Sequence, residues 1–405
     1  MMIVDTSKKQ LWVLLIAEFL LMIGTSISQP FWPILIKSKI GTSHLSFNIW
    51  NTSVYLLPLL FSAISAPLWG SMADRYGYKK LFLRAAICLF IIQFLIGFAS
   101  TPLEFCACRL LQGIFCGSVA AAQVYGTQLV SNHHKAFILT RLQASISLGT
   151  MVGPIVGGYV FSIEHYSRMF YISALACFIA CILIILYLKE IPPSDKNIIN
   201  TEQKSIIPKS IFLLSISIFL AQTSRFMMLP IFAIYITKLL HQPISYIGIL
   251  YAATSITLFC SAPLMDKIFS VFKNSAIVPA IALLLSAFLF FSLELRNSPS
   301  FVFINRCLWG CCLAAITPLL YALCLQQNDQ QKSGKIIGIN SSANKLGSLV
   351  GILLSGYISF HFGVMSTIIV IGITYFINFF YILIINTYVL NSKKMGATQH
   401  VSISN

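Results

Sequence analysis

Apolar runs of about twenty residues recur along the whole chain, parted by short polar turns, and each run is long enough to cross roughly 30 Å of hydrocarbon as a helix. The pattern predicts twelve such spans, at 11–36, 45–69, 81–100, 104–128, 139–162, 168–189, 209–238, 245–267, 275–293, 300–325, 335–360 and 365–390. Alternating ten-residue segments are missing, which argues against a membrane β-barrel. The prediction is an all-α, multi-pass membrane protein. "MMIVDTSKKQ" at the start resembles the basic head of a signal peptide, but the apolar run behind it has no small-x-small cleavage site. It therefore reads as an uncleaved first helix.

Composition agrees, with 57% hydrophobic residues among 405. The net charge of +16 invites a nucleic-acid partner, but its distribution argues against one. With the N-terminus inside, eighteen basic residues fall in inner segments and five outside: Lys37, Lys39, Arg168, Lys238 and Arg296. That asymmetry is the positive-inside pattern of a bacterial-type inner membrane protein with both termini cytoplasmic. The eleven cysteines all lie in predicted spans without metal-site spacing, so no metal is expected.

Internal repeats set the architecture. "SAPL" at 65–68 returns at 261–264, "RLLQG" at 109–113 returns as "RCLWG" at 306–310, and "GTMVGPIVGGY" at 149–159 returns as "GSLVGILLSGY" at 347–357. Three matches in order, offset by 196 to 198 positions, predict two homologous halves. They are an N-terminal six-helix bundle at 1–188 and a C-terminal one at 211–390, with a cytoplasmic linker at 189–210 and a tail at 391–405.

Between spans two and three stands G-x-x-x-D-R-x-G-x-K-K: Gly70, Asp74, Arg75, Gly77, Lys79 and Lys80. This resembles the signature loop of the major facilitator superfamily, and the resemblance covers essentially the whole chain. Arg109, Gln112 and Gly113 in span four extend it. Gly149, Gly153, Pro154, Gly157 and Gly158 in span five resemble the motif of the twelve-span drug:proton antiporter (multidrug efflux) branch. Tyr78 departs from the loop pattern, since a basic residue is usual there, and the second half keeps only Asp266 and Lys267 after its "SAPL".

The loop needs Gly77 for a tight path and basic residues to anchor it inside. The resemblance implies a cytoplasmic gate in which Asp74 meets the positive end of a helix from the other half; the alternative is a topology signal alone. Gly149, Gly153 and Gly157 share one helix face, repeated as Gly347, Gly351 and Ser355, and are expected to let backbones approach across the seam between the halves.

Charges inside spans are costly unless they face protein or water. Glu18 is the one carboxylate well inside a span, a candidate for proton coupling or for a structural ion pair with Arg109. Arg109, Arg225, Arg306 and Lys345 leave the interior formally positive, which points to an anionic solute. Gln29, Gln123 and Asn344, with Arg225, Arg306 and Lys345, are the candidates for the substrate cavity; Asn51, Gln222 and Asn340 offer further hydrogen bonds. Trp32, Tyr55, Tyr125 and Phe226 offer flat surface.

The reading is a monomeric secondary transporter in contact with the lipid bilayer. It takes no cofactor, uses the proton gradient, and exports a small organic molecule: a xenobiotic or an anionic metabolite such as a carboxylate siderophore. Import of a similar solute is the alternative, and a non-transporting receptor the more distant one. No nucleophile triad, metal cluster or phosphate-binding loop suggests an enzyme.

Overall fold

The computed structural model describes residues 5–40, 44–129, 135–161, 165–190, 209–272, 275–295, 298–326 and 333–401. The linker expected at 189–210 therefore lies almost wholly outside the described residues.

The described chain is all helix: α1 (Asp5–Ser26), α2 (Trp32–Ile40), α3 (His44–Tyr76), α4 (Tyr78–Ile96), α5 (Pro102–Phe115), α6 (Ser118–Gln128), α7 (Lys135–Val160), α8 (Ser167–Tyr187), α9 (Lys209–Met227), α10 (Phe232–Ile234), α11 (Ile244–Val271), α12 (Ile277–Leu295), α13 (Pro299–Gln326) and α14 (Ser333–Val401). A single π-turn, Tyr235–Leu239, continues α10.

These pieces make the twelve spans, with three of them broken. Span one is α1 plus α2, parted at Ile27–Phe31, where Pro30 cannot carry a helical N–H. Span seven is α9 plus α10 and its π-turn, parted beside Pro230. Span four breaks at Cys116, which is extended (φ −106°, ψ 112°), ahead of Gly117. In the other direction, α14 holds spans eleven and twelve, separated at Gly363 by a left-handed φ of 87° that interrupts the helix. Pro30 and Pro230, which mark the breaks of spans one and seven, are 200 positions apart.

The chain folds as two compact units. One comprises Met1–Thr201 with Pro230–Phe259, and the other Glu202–Leu229 with Cys260–Asn405. In the first unit, Leu14, Leu21, Phe82, Ala122, Leu142 and Ile184 form part of a core contributed by α1, α4, α6, α7 and α8. In the second, α9 is held by polar pairs inside the apolar packing. Ser215 Oγ donates to Asn340 Oδ1 (2.8 Å), Ser217 Oγ to Asn378 Oδ1 (2.7 Å) and Gln222 Nε2 to Thr317 Oγ1 (3.1 Å). Away from water such pairs bind helices that dispersion alone holds loosely.

Candidate functional site

Glu18 sits in mid-α1 with no solvent exposure. The break between α5 and α6 turns Ser118, the first residue of α6, toward it, and Ser118 Oγ lies 3.5 Å from Glu18 Oε1. Glu18 Oε2 is buried with no hydrogen-bond partner. Beside it in sequence, Gly117 opens on free space: a Cβ there would meet nothing within 4 Å. The carboxyl thus has one weak donor, one vacant oxygen and room alongside the helix break that orients it.

The alternative of a Glu18–Arg109 ion pair is not what the geometry gives. Arg109 Nε donates to the Val54 carbonyl (3.0 Å), Nη1 donates to Gln112 Oε1 (2.6 Å), and the guanidinium lies 5.4 Å from the Trp32 ring centre. Gly113 completes this join of α5 to α3, since a Cβ there would stand 2.8 Å from Pro58 Cα. Ser65 Oγ donates to the Gly113 carbonyl and Trp69 Nε1 to that of Ile114. Arg109, Gln112 and Gly113 are therefore packed against α3.

The repeat-related Arg306 is 5% exposed and lies 4.9 Å from the Trp309 ring centre, while Arg225 and Lys345 are exposed. Of the four cations inside spans, Arg109 and Arg306 are thus buried beside tryptophan rings. Of the other cavity candidates, Gln123 and Asn344 are half-buried, and Gln29 offers its backbone rather than its amide.

That backbone contact belongs to a clamp that periodicity does not reveal. Asn51 and Tyr55 stand one turn apart on α3, and both hold helix breaks. Tyr55 Oη donates to the Gln29 carbonyl (2.8 Å), and Asn51 Nδ2 donates to the Pro230 carbonyl (3.0 Å). Each acceptor lies at a proline of the broken spans one and seven. The signal was present in the two matching prolines, but not the identity of the donors. Trp32 and Tyr125 are likewise fully buried packing residues.

The small-residue face of α7 does not lie at a seam between halves. It packs on α1: Gly149 against Met22 and Phe19, Gly153 against Ser26 and Ile23, and Gly157 against Ile27 and Phe31. Ser26 Oγ donates across this contact to the Gly149 carbonyl (3.1 Å). Gly347 and Gly351 repeat the arrangement against Phe219 and Thr223 of α9. The neighbouring face of α7 is different. There Pro154 and Gly158 meet Gly248 of α11, and a Cβ on Gly158 would stand 3.0 Å from the Ser245 carbonyl oxygen.

In the signature loop, Gly70, Asp74 and Arg75 belong to the last turns of α3, and the turn is narrower than two residues: Gly77 alone parts α3 from α4. Its φ of 101° is in the left-handed region, and the space for a Cβ is taken by the Glu190 carboxylate. Glu190 Oε1 accepts the Lys79 backbone N–H (3.1 Å), placing a negative charge on the N-terminal end of α4. Lys79 Nζ donates to the Ile185 carbonyl (3.1 Å), and Lys80 is exposed. Tyr78 is 4% exposed, within the core of the first unit. The side chains of Asp74 and Arg75 lie outside the described residues.

Twelve spans with broken helices at repeated prolines, and a signature turn closed by a carboxylate, describe a membrane transporter. The Major Facilitator Superfamily model matches twice, over residues 14–214 and 214–402, and the chain belongs to that family of secondary transporters, which are not enzymes. It is 28% identical over 379 residues to Multidrug resistance protein MdtG of Rahnella sp. (strain Y9602), covering 92% of each chain. It is 27% identical to the protein of that name from Yersinia enterocolitica, again over 92% of each. Its fold resembles that of a bacterial homolog of the human lysosomal transporter Spinster (TM-score 0.78, 13% identity, 96% of this chain and 98% of that one). It also resembles the human organic anion transporter MFSD10 (TM-score 0.69, 15% identity, 93% and 99%).

Proposed function

We propose that this protein exports a small organic molecule of the xenobiotic type in exchange for protons, by alternating access, with Glu18 as the proton site. The observation that carries the reading is the Glu18 carboxyl, fully buried in α1, with one oxygen 3.5 Å from Ser118 Oγ and the other unpartnered. An unpaired charge at such depth is costly, so the vacant oxygen is a natural seat for a proton that leaves when substrate or water arrives. The distant relationship to the MdtG proteins supports export. The basic-residue asymmetry supports an inner membrane orientation with both termini cytoplasmic, and the double family match supports two six-helix bundles at 1–188 and 211–390.

The embedding of Arg109 and Arg306 weakens the case for an anionic cargo. A carboxylate solute, siderophores included, would have to rely on exposed Arg225 and Lys345. Import of a small anion is the second reading, favoured by exposed Lys37 and Lys238, whose amines approach each other at the ends of spans one and seven. The test is proton release from purified protein on addition of candidate solutes, followed by flux in vesicles of known orientation. Export requires solute-dependent proton release that Glu18→Gln abolishes while binding persists. Release unchanged in that variant would refute Glu18 as the site.

A further inference from the structure

The second unit carries a slot of about 560 Å³ walled by α12 and α13 and closed on one side by Met265 and Ile268 of α11 and by Phe272 just after it. Its floor is small and buried, with Ala282 5% and Ala315 2% exposed, while its rim is large, apolar and open, with Phe288 at 57% and Ile304 at 56%. The polar side chains at its upper end serve each other: Asn305 Nδ2 donates to the Leu289 carbonyl (2.7 Å) and to Ser292 Oγ (3.2 Å). A solute with several hydrogen-bonding groups would leave them unmatched there. An alkyl chain would not.

Length and charge narrow the occupant. The α12 wall runs from Ile277 to Ser292, sixteen residues or about 22 Å of helix, more than the roughly 15 Å depth of one leaflet's hydrocarbon. Next in sequence to Ile268 of the wall, Asp266 and Lys267 are both exposed. They are the remnant of the signature loop in the second half, and their opposite charges suit an amine and a phosphate on one headgroup.

We propose that one acyl chain of a membrane phospholipid occupies this slot, with its phosphate at Lys267. The lipid is a bound component, held between helices and distinct from the exchanging bilayer around the exposed faces. Ala282 and Ala315 are small because the chain lies over them.

The test uses the full-length protein in vesicles containing phospholipid with a diazirine on the acyl chain. After photolysis, peptides covering 277–292 and 304–315 should carry several-fold more label than the exposed α8 face at 175–186, and a chase with unlabelled lipid before photolysis should lower labelling at the slot more slowly than at α8. Native mass spectrometry of detergent-purified protein should show one retained phospholipid. Ala282→Phe should lower retention about tenfold, what expelling roughly two methylenes from the slot would do. Lys267→Gln, on the surface, should lower retention without affecting folding. Uniform labelling of all exposed faces, or chase as fast at the slot as at α8, would overturn the proposal. So would displacement of the lipid by a transported solute, which would make the slot a substrate site. If Ala282→Phe does not fold, labelling of the wild type and the Lys267→Gln comparison decide.

Discussion

Two glycine substitutions that look alike in sequence should act on different properties. Gly248→Ala places a methyl group against the Pro154 carbonyl oxygen, 3.1 Å from the Pro154 carbonyl carbon and 3.3 Å from Gly158 Cα. All three are backbone atoms and cannot swing aside. Overpacking of this kind costs about 1–3 kcal/mol, and the gain from removing a helical glycine returns at most about 1 kcal/mol. The net penalty of about 1–2 kcal/mol falls only on conformations in which α7 and α11 cross at this point. If the outer ends of the two repeats part during transport, the equilibrium shifts toward the parted state by roughly 5- to 30-fold. Gly149→Ala is as crowded, with the Phe19 carbonyl oxygen at 2.7 Å, but its neighbours Phe19, Met22 and Ile23 are all in α1 of the same repeat. That contact has no reason to open in the cycle, so the cost should appear as lowered thermal stability alone.

Hydrogen exchange separates the two outcomes. Peptides covering the breaks at 27–31 and 228–231, which Tyr55 and Asn51 hold closed, should exchange faster in Gly248→Ala and at the wild-type rate in Gly149→Ala. Exposed Gly338, where a Cβ would meet nothing within 4 Å, is the control. Gly338→Ala should raise stability by about 0.5–1 kcal/mol with no change in exchange at the breaks. Equal exchange at the breaks in Gly248→Ala and Gly149→Ala would refute the division into a fixed brace and a moving crossing.

Glu18→Gln should remove flux driven by a pH gradient and leave substrate binding measurable by fluorescence or calorimetry. Glu190→Gln should cost about 0.3–1 kcal/mol by weakening the charge at the N-terminal end of α4, read as a lowered unfolding midpoint that high salt narrows. Asp74→Asn is expected to abolish transport with insertion intact; full activity would reduce the loop to a topology signal.

Much of the fold was legible because the bilayer enforces it. Spans must be apolar and helical, and turns must carry the charge, so run lengths and basic residues alone outline twelve helices. The repeat was legible as well, since paired glycines and arginines keep their spacing. The partners of those residues were not. A glycine face states that a backbone comes close without saying whose, and the α7 face belongs to α1 where the inter-repeat seam was expected. Arg109 announces a buried cation, but its acceptors are the Val54 carbonyl and Gln112, and a backbone carbonyl leaves no trace in composition. The helix breaks were half visible, as prolines without the turn that Asn51 and Tyr55 stabilise.

The same distinction bears on the cargo. Counting ionisable residues inside spans gives an interior of one negative and four positive charges, which suggests an anion site. Geometry divides that count. The guanidiniums of Arg109 and Arg306 lie 5.4 and 4.9 Å from the Trp32 and Trp309 ring centres, and Arg109 also donates to the Val54 carbonyl. Arg225 and Lys345 are exposed. With two of its four cations buried beside tryptophan rings, the interior does not demand an anionic cargo. Competition among matched cationic, neutral and anionic solutes separates the cases. If Arg225→Gln and Lys345→Gln weaken anion binding selectively, a carboxylate cargo stands. If neither variant discriminates by charge, hydrophobic recognition with proton exchange at Glu18 is the consistent account.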